Sequence, residues 1–370
     1  MVNAFGNIYC GRRVLVTGHT GFKGGWLSLW LRSLGADVSG FSLPPAAGDN
    51  FFSVLPADCF GRSTLGDLRD VKAVNQAVAE SQAEVIFHLA AQPIVGVSYR
   101  EPIDTFTTNA LGTALLLEAV RNAKSAAAVV VVTSDKCYRN DNTGRPFVES
   151  DPLGGHDVYS MSKAATEMVA AAWHSSFFSK DAGLGPVATG RAGNVIGGGD
   201  YGEDRIIPDA VRAFEKKQPL VLRRPQATRP WQHVLESVSG YLTLGQRLLT
   251  QPAREELQNF NFGPDFQAER SVQELMDALL AGWPGAIEVQ VAPQPAYAEA
   301  ARLSLDHSKA TRELGWRPVW NFHETVARTA EWYRLRHEAR RDDAAMLAFT
   351  LDQIAAYSSD ANRNGVAWTK

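Results

Sequence analysis

Three glycines between a predicted strand and a predicted helix constrain this fold more than any other feature. Gly18, Gly21 and Gly24 follow the apolar segment 13–17 and open a segment whose Trp and Leu residues recur at helical spacing over 26–34. In that position the glycines let the chain turn, let backbone N–H groups approach a pyrophosphate, and let the helix pack on the strand. The spacing therefore predicts the first βαβ unit of a dinucleotide-binding sheet; the alternative is an ordinary turn.

Apolar and helical segments alternate through the first half of the chain. Helices are predicted at 104–123 and from 159 to about 178, and strands at 13–17, 38–41, 62–65, 85–89, 127–133 and 187–191. Strands separated by helical runs favour an α/β fold with a doubly wound parallel sheet of the Rossmann type. Residues 1–191 would form this domain.

Shorter elements follow Arg191 and predict a second, smaller α+β lobe. Strands are predicted at 219–222, 259–262 and 287–292, and helices at 206–217, 234–249, 271–281 and 306–314. We assign residues 192–337 to this lobe, interleaved with the first domain through returning segments around 234–262. Residues 338–370 are charged and Ala-rich, and we expect a peripheral helix and a loose tail there.

Polar residues at the end of the fifth predicted strand form the candidate active site with a later helix. Ser134, Asp135 and Lys136 directly follow an apolar run, while Tyr159 and Lys163 stand four apart in a helix-forming segment. Tyr159 and Lys163 share one helical face, where an ammonium can lower the pKa of a phenol and make it a usable proton acceptor. Ligands of such sheets bind at the carboxyl ends of the strands. The non-catalytic alternatives are that Tyr159 and Lys163 form an exposed helical pair and that Asp135 and Lys136 form a surface ion pair.

The nucleotide site lacks the acidic residue that usually binds an NAD ribose. That residue should follow the second strand, near Ser42 or Leu43, and Asp37 lies at the wrong end of the strand. Asp67, after the third strand, is better placed to accept a hydrogen bond from the adenine amino group. No Arg follows the second strand to meet a 2′-phosphate, so NAD is favoured over NADP, with weaker binding than usual.

Composition excludes several other classes of protein. The chain has 370 residues and a net charge of −3, without charged blocks that would indicate nucleic acid or a membrane surface as partner. It has no run of about 18 apolar residues and no signal-peptide pattern. Cys10, Cys59 and Cys137 are scattered and indicate neither disulfides nor a metal site. We expect a cytoplasmic protein without a metal.

Several motifs together resemble the extended short-chain dehydrogenase/reductases. They are Thr-Gly-His-Thr-Gly-Phe-Lys-Gly at 17–24, His-Leu-Ala-Ala-Gln at 88–92, and Tyr159 with Lys163; the match extends to 314–318. Within this superfamily, Thr-Ser-Asp-Lys-Cys-Tyr at 133–138 and Arg-Pro-Trp-Gln-His at 229–233 are similar to the CDP-glucose 4,6-dehydratases. That resemblance implies conversion of CDP-D-glucose to CDP-4-keto-6-deoxy-D-glucose, a precursor of surface deoxysugars, with NAD reduced and reoxidised in one turnover.

The resemblance also implies roles for the catalytic residues. Tyr159 would take the proton of the C4 hydroxyl, Lys163 would lower its pKa and hold the nicotinamide ribose, and Ser134 would hydrogen-bond the same hydroxyl. Asp135 would protonate the leaving C6 hydroxyl, which requires a poorly solvated pocket and a raised pKa. Lys136 occupies the position of the base and must be neutral at that moment or act through its charge on an enolate.

Further residues are expected at the two ligands. Those expected at the cofactor are Gly18, Thr20, Gly21, Phe22, Lys23, Gly24, Asp67, Leu68, Leu89, Ala90, Ala91, Tyr159 and Lys163. For the substrate, Arg229 is the first choice at the diphosphate, with Asn194, Arg205 and Arg302 behind it and Gln92 and Asn109 near the sugar.

Alternative functions and the assembly stay open at this point. The alternatives are another sugar-nucleotide 4,6-dehydratase, a UDP-sugar 4-epimerase, or a catalytically idle NAD-binding scaffold on the same fold. The helical segments 104–123 and 156–178 are rich in Ala and Leu. In the family, the equivalent helices pair into a four-helix bundle, which implies a homodimer or homotetramer.

Overall fold

The strands of the protein form one large parallel sheet and three small pairs. The computed structural model describes residues 4–141, 144–251, 255–265, 269–283, 287–292, 302–338 and 342–370. The strands are β1 (Arg13–Thr17), β2 (Asp37–Ser42), β3 (Arg62–Leu65), β4 (Val85–His88), β5 (Ala128–Thr133), β6 (Val187–Arg191), β7 (Val195–Ile196), β8 (Leu220–Leu222), β9 (Thr228–Pro230), β10 (Gln232–His233), β11 (Gln258–Asn261), β12 (Glu269–Ser271) and β13 (Val289–Val291).

The large sheet has seven strands in the order β11-β6-β5-β4-β1-β2-β3. Every pairing in it is parallel, and the order reverses direction at β1 and β4, as in a doubly wound sheet. The predicted Rossmann-type α/β fold is confirmed. Ligands of such a sheet bind at the carboxyl ends of the strands, beside this reversal.

Helices cover both faces of the sheet. They are α1 (Phe22–Ser33), α2 (Val71–Ser81), α3 (Val95–Arg100), α4 (Pro102–Phe106), α5 (Gly112–Asn122), α6 (Val158–Trp173), α7 (Ile206–Lys216), α8 (Val234–Thr250), α9 (Val272–Ala281), α10 (Ser308–Leu314), α11 (Phe322–Glu338) and α12 (Asp343–Arg363). Val129 and Val131 of β5 belong to the core under α2, α5 and α6, whereas Val130 belongs to the core under α1 and α8. This alternation buries β5 on both sides, which explains its unbroken apolar run.

Some elements differ from the sequence-based expectation. Helix α2, whose first N–H groups are capped by Asp70, was not predicted. The helix predicted at 104–123 begins at Pro102 and contains a π-helical turn at Thr107–Leu111 between α4 and α5. The small strand pairs are β7 with β10, β9 with β12, and β8 with β13. Strand β11 returns to the large sheet beside β6, but the domain boundary near 191 stays a prediction.

The helix expected within residues 338–370 is present, but the described residues 342–370 do not form the loose tail that was also expected. Helix α12 spans Asp343–Arg363 and buries Met346, Ile354 and Tyr357 in the same core as β1. Trp368 is only 2% exposed and its ring stacks on that of Phe5. Because the segment is rich in Ala, its apolar helical face was not recognised in the sequence. Burial of these large side chains stabilises the position of the segment. Among the described residues, no helix combines the length and the apolar character needed to cross a membrane.

Candidate active site

The glycine turn after β1 lies directly against the end of β4. Gly18 has a φ of +77°, and an ideal Cβ there would lie 2.8 Å from the backbone nitrogen of Ala90. A Cβ on Gly24 would lie 2.0 Å from the carbonyl oxygen of Gly18. Only glycine fits both positions, so the turn brings residues 18–24 and 89–91 together. The structure thus assembles most of the predicted cofactor residues at one edge of the sheet.

Hydroxyl and carbonyl groups stand at the end of β2, where the adenosine ribose is expected from the sequence. Thr20, in the glycine turn, is hydrogen-bonded to Ser42 (2.8 Å) and to the carbonyl of Leu43 (2.9 Å), where a ribose-binding acid is expected. Both carboxylate oxygens of Asp67 accept hydrogen bonds from the Arg69 guanidinium, which lowers the pKa of that carboxyl. The role of Asp67 toward adenine stays a prediction.

The end of β5 presents a buried carboxylate. Ser134 caps the short 3-10 turn Asp135–Cys137 by accepting a hydrogen bond from the backbone N–H of Lys136 (3.2 Å). Its hydroxyl also donates to Oδ1 of Asp135 (2.7 Å). Asp135 is 1% exposed, and its Oδ2 has no hydrogen-bond partner among the described residues. Because a buried polar atom normally has a partner, this oxygen is a candidate for a hydrogen bond to a bound ligand.

Helix α6 brings Tyr159 and Lys163 to this carboxylate. Asp157 starts the helix by accepting a hydrogen bond from the backbone N–H of Ser160 (2.8 Å), which places Tyr159 in the first turn. Burial raises the pKa of Tyr159 to about 12, while the positive charge of Arg205 and a hydrogen bond with Ser134 oppose this rise. Arg205 is therefore a second cation whose charge acts on the phenol, and the effect of Lys163 on the pKa of Tyr159 stays a prediction.

Lys163 itself is buried beside Tyr159. Its Nζ lies 6.0 Å from the centroid of the phenol ring. Burial lowers the pKa of Lys163 to about 8, and the nearby Cys137 and Glu167 oppose the shift. Lys163 therefore keeps its charge near neutral pH, when the pH is below this pKa.

Two further basic residues act on this site: Lys23 in the glycine turn and Arg205 at the start of α7. Arg205 forms an ion pair with Asp200 (2.8 Å). Burial lowers the pKa of Lys23 to about 7, the charge of Arg205 lowers it further, and Asp135 opposes the shift. Lys23, predicted at the cofactor, is therefore coupled electrostatically both to Arg205, predicted at the substrate, and to the Asp135 carboxylate.

Of the other predicted substrate residues, Gln92 and Asn109 lie together, whereas Arg229 and Arg302 both lie at the β9–β12 pair. Gln92 and Asn109 bond each other through backbone and side-chain atoms, and Asn109 donates to the Ser162 hydroxyl on α6 (2.8 Å). Arg229 is buried on β9 and donates to the carbonyl of its neighbour Thr228 (2.8 Å). Arg302 pairs with Glu269 on β12 (2.8 Å).

Asn194 follows β6 with a φ of +48° in the left-handed region. Its carbonyl accepts a hydrogen bond from the backbone N–H of Gln232 (3.3 Å). This bond ties the loop after β6 to the start of β10. The assignments of Asn194, Arg229 and Arg302 to the substrate stay predictions.

A buried ion pair beside the site was not predicted from the sequence. Glu167 lies one helical turn after Lys163 and pairs with Arg191 at the end of β6 (2.7 Å), with both side chains almost fully buried. Thr133 and Thr189 also donate to the Glu167 carboxylate. The pair therefore ties α6 to β5 and β6. A charged residue at i+4 from Lys163, in an Ala-rich helix, was the available signal. Within the described residues, no group of His, Cys, Asp or Glu could hold a metal ion.

The fold and the arrangement of these residues define the class of protein. A glycine turn after β1 and a buried tyrosine and lysine beside β5 are the parts of a dinucleotide-dependent enzyme on a doubly wound sheet. The chain belongs to the family whose model is described as GDP-mannose 4,6 dehydratase, which matches residues 15–329. The resemblance stated from the sequence motifs is confirmed.

Two individual relatives show how similar the chain is to particular 4,6-dehydratases. The chain is 42% identical to the CDP-glucose 4,6-dehydratase of Salmonella typhimurium, over 96% of this chain and 99% of that protein. It is 28% identical to a dTDP-glucose 4,6-dehydratase of Xanthomonas campestris, over 86% of this chain and 92% of that protein.

Solved structures agree with this placement. DesIV, a dTDP-glucose 4,6-dehydratase from Streptomyces venezuelae solved with NAD and TYD bound, has a TM-score of 0.75 at 26% identity and covers 88% of this chain and 98% of its own. A UDP-glucose 4-epimerase of Thermus thermophilus solved with NAD has the same TM-score of 0.75 at 26% identity, with 87% and 99% covered.

Proposed function

We propose that this protein is an NAD-dependent CDP-D-glucose 4,6-dehydratase. The observation that best supports this proposal is the buried Asp135 carboxylate. Its Oδ2 has no partner among the described residues, and the carboxylate lies with Ser134 and Tyr159 at one strand end. An epimerase needs only the tyrosine and the lysine, whereas loss of water needs an additional acid. The 42% identity with a CDP-glucose 4,6-dehydratase over almost the whole chain supports cytosine as the nucleobase of the substrate.

The residues present fit NAD as the cofactor. The glycine turn brings backbone groups close to Ala90, leaving no side chain between the turn and the end of β4. Residues 18–24, Asp67, Leu68 and 89–91 would hold the dinucleotide, and Lys163 its nicotinamide ribose. When bound, NAD accepts a hydride from C4 of the sugar and later returns it to C6.

Tyr159 would carry the proton of the oxidation step. Its deprotonated phenolate oxygen takes the proton of the C4 hydroxyl as the hydride leaves C4, while Ser134 holds the same hydroxyl by a hydrogen bond. Burial raises the pKa of Tyr159 to about 12. Deprotonation therefore depends on positive charge nearby, which Arg205 supplies together with Lys163.

Asp135 and Lys136 would carry the loss of water. The C4 ketone acidifies the C5 proton, which leaves C5 as the C6–O bond breaks. Asp135 gives its proton to the departing oxygen. Lys136 either accepts the C5 proton itself or stabilises the enolate by its charge while solvent water accepts that proton. Lys136 follows Asp135 in the 3-10 turn and is partly exposed, so both can face one substrate.

The test of this function is a panel of four nucleotide sugars. CDP-, dTDP-, UDP- and GDP-glucose are each incubated with the protein and NAD, and products are followed by mass spectrometry and by the ultraviolet band that 4-keto-6-deoxy sugars develop in alkali. We expect loss of one water from CDP-glucose and the least conversion of the other three. An epimer of UDP-glucose, which has unchanged mass and no such band, would replace this proposal with the epimerase; no conversion at all would favour the idle scaffold.

NAD binding should be weaker than is usual for such a site. The position after β2 offers the hydroxyl of Ser42 and the carbonyl of Leu43 instead of a carboxylate, and Thr20 already bonds both groups. We expect a micromolar or weaker dissociation constant when the cofactor-free protein is titrated with NAD by calorimetry. Introducing the missing acid by Leu43→Asp should tighten binding. A submicromolar constant for the unaltered protein would contradict this prediction.

The assembly we propose is a homodimer or homotetramer built through a helix bundle. Exposed apolar side chains concentrate on the paired segments 102–122 and 158–178; they are Ile103, Phe106, Leu111, Met161, Met168 and Phe177. Ile103 is 74% and Met168 63% exposed. A second copy of this chain would cover the exposed apolar side chains of both segments at once around a two-fold axis, since an isologous contact uses the same surface of both copies.

A single charge on this surface should break the assembly. Met168→Asp would bury a carboxylate without a partner in the bundle. We expect the variant to elute as a monomer in size-exclusion chromatography with light scattering. Val221→Asp places the same charge on an exposed apolar residue of the second lobe and should leave the assembly unchanged. A variant Met168→Asp that keeps the wild-type mass contradicts the proposed interface.

We also propose that the protein acts in the cytoplasm, where it supplies a precursor of deoxysugars. Its three cysteines are free thiols, two of them buried, as expected in a reducing compartment.

A further inference from the structure

The Asp135 carboxylate packs against a residue that has no side chain. An ideal Cβ on Gly193 would lie 2.0 Å from Oδ2, 2.1 Å from Cγ and 2.5 Å from Oδ1 of Asp135. These carboxylate atoms are the nearest heavy atoms to that position. Gly193 is not among the glycines with a positive φ, so its backbone would accept an L-residue. Glycine is therefore needed at 193 because the carboxylate occupies the space.

Gln232 holds Gly193 in place. Its Nε2 donates to the carbonyl of Gly193 (2.9 Å) and to that of Phe262, just after β11 (3.0 Å). The side chain is 1% exposed, and its strand β10 pairs with β7, directly after the loop that contains Gly193. The loop after β6 is thus bound to two neighbouring strands. Gly193 cannot move away from Asp135 without breaking buried hydrogen bonds.

We propose that Gly193 and Gln232 are positioning residues that fix the orientation of the Asp135 carboxylate and thereby control water loss without acting on C4 oxidation. The inference rests on the proposed function. In the step concerned, the C5–H and C6–O bonds break, the C5 proton passes to Lys136 or to solvent water, a C5–C6 double bond forms, and the departing oxygen takes the Asp135 proton to leave as water. An acid displaced from the C6 oxygen slows this step alone, because Tyr159 and Lys163 stand on α6.

The first experiment follows both half-reactions of Gly193→Ala in a single turnover with NAD and CDP-glucose. C4 oxidation is read as reduced-nicotinamide absorbance and water loss as the 4-keto-6-deoxy product. We expect product formation to fall by about 10²-fold, the scale of a 1 Å misplacement, while reduced nicotinamide accumulates. A variant that forms product at the wild-type rate, or loses both half-reactions equally, overturns the proposal.

A matched set of variants separates positioning from a general structural effect. Gln232→Met keeps the volume but cannot donate to either carbonyl, and should also accumulate reduced nicotinamide, with a smaller loss of product. An equal slowing of both half-reactions in this variant counts against a positioning role. Gly282→Ala, at the end of α9, brings a Cβ no closer than 3.7 Å to the nearest heavy atom and should behave as the wild type.

A structural measurement keeps the inference distinct from the proposed function. Crystal structures of the wild type and of Gly193→Ala, both without substrate, show whether the carboxylate moves. A rotated Asp135 side chain supports the positioning role of Gly193 even if CDP-glucose proves not to be the substrate. A carboxylate that stays in its wild-type position in the Gly193→Ala variant overturns the inference even if the wild type dehydrates CDP-glucose.

Discussion

Tyr159→Phe should lower the turnover of CDP-glucose by about 10³-fold, within the range for loss of a general acid–base group. The phenol is the only group in the proposed mechanism that can take the C4 hydroxyl proton, and without the ketone the C5 proton is not acidic. Both half-reactions should therefore stop together. In a single turnover with NAD, we expect neither reduced nicotinamide nor the 4-keto-6-deoxy product.

The physical basis of this prediction is the burial of the phenol. Burial raises the pKa of Tyr159 to about 12, so the proton leaves only with help from positive charge, and Arg205 is the main opposing cation. Tyr357→Phe is a suitable control because Tyr357 is a buried tyrosine on α12 whose hydroxyl bonds Glu236. It should lose stability but retain turnover. Accumulation of reduced nicotinamide in Tyr159→Phe would show that another group performs the oxidation.

Local sequence patterns were sufficient to predict the sheet and the two fragments at its edge. β1 and β6 have the predicted bounds because each is an apolar run closed by polar or glycine residues. Tyr159 and Lys163 lie on one helix, and the spacing of four places them on the same face. Helix α2 was missed although Asp70, its N-cap, preceded apolar residues at helical spacing.

Contacts between distant segments could not be predicted in this way. Nothing local indicates that Gly193 lies against Asp135, since the contact depends on the adjacent ends of β5 and β6. Arg205 is likewise distant from Tyr159 in the sequence, and only the folded structure shows that its positive charge acts on the phenol. The buried position of Trp368 depends on the rings of Phe5 and Trp30, which lie far from it in the chain, and on that of Tyr357 on α12.

Lys136→Met should stop water loss while leaving C4 oxidation intact, with product formation reduced by about 10³-fold. Lys136 follows Asp135 in the 3-10 turn, and its backbone N–H bonds Ser134. Met has a similar length and no charge, so this capped turn should survive. The expected signature is reduced nicotinamide that persists after CDP-glucose is added, without the alkaline ultraviolet band of the product. Normal dehydration by the variant would remove Lys136 from the mechanism.

Lys136→Arg separates the two ways in which this residue could act. An ammonium has no lone pair, so Lys136 as the base must be neutral when it accepts the C5 proton; a guanidinium stays charged and cannot accept one. If Lys136 is the base, Arg should therefore be as inactive as Met. If its charge stabilises the enolate, Arg should retain part of the activity lost in Met. Exchange of the C5 proton with deuterium from solvent provides an independent measurement: a base role predicts its loss in both variants, and a charge role predicts its partial retention in Lys136→Arg alone.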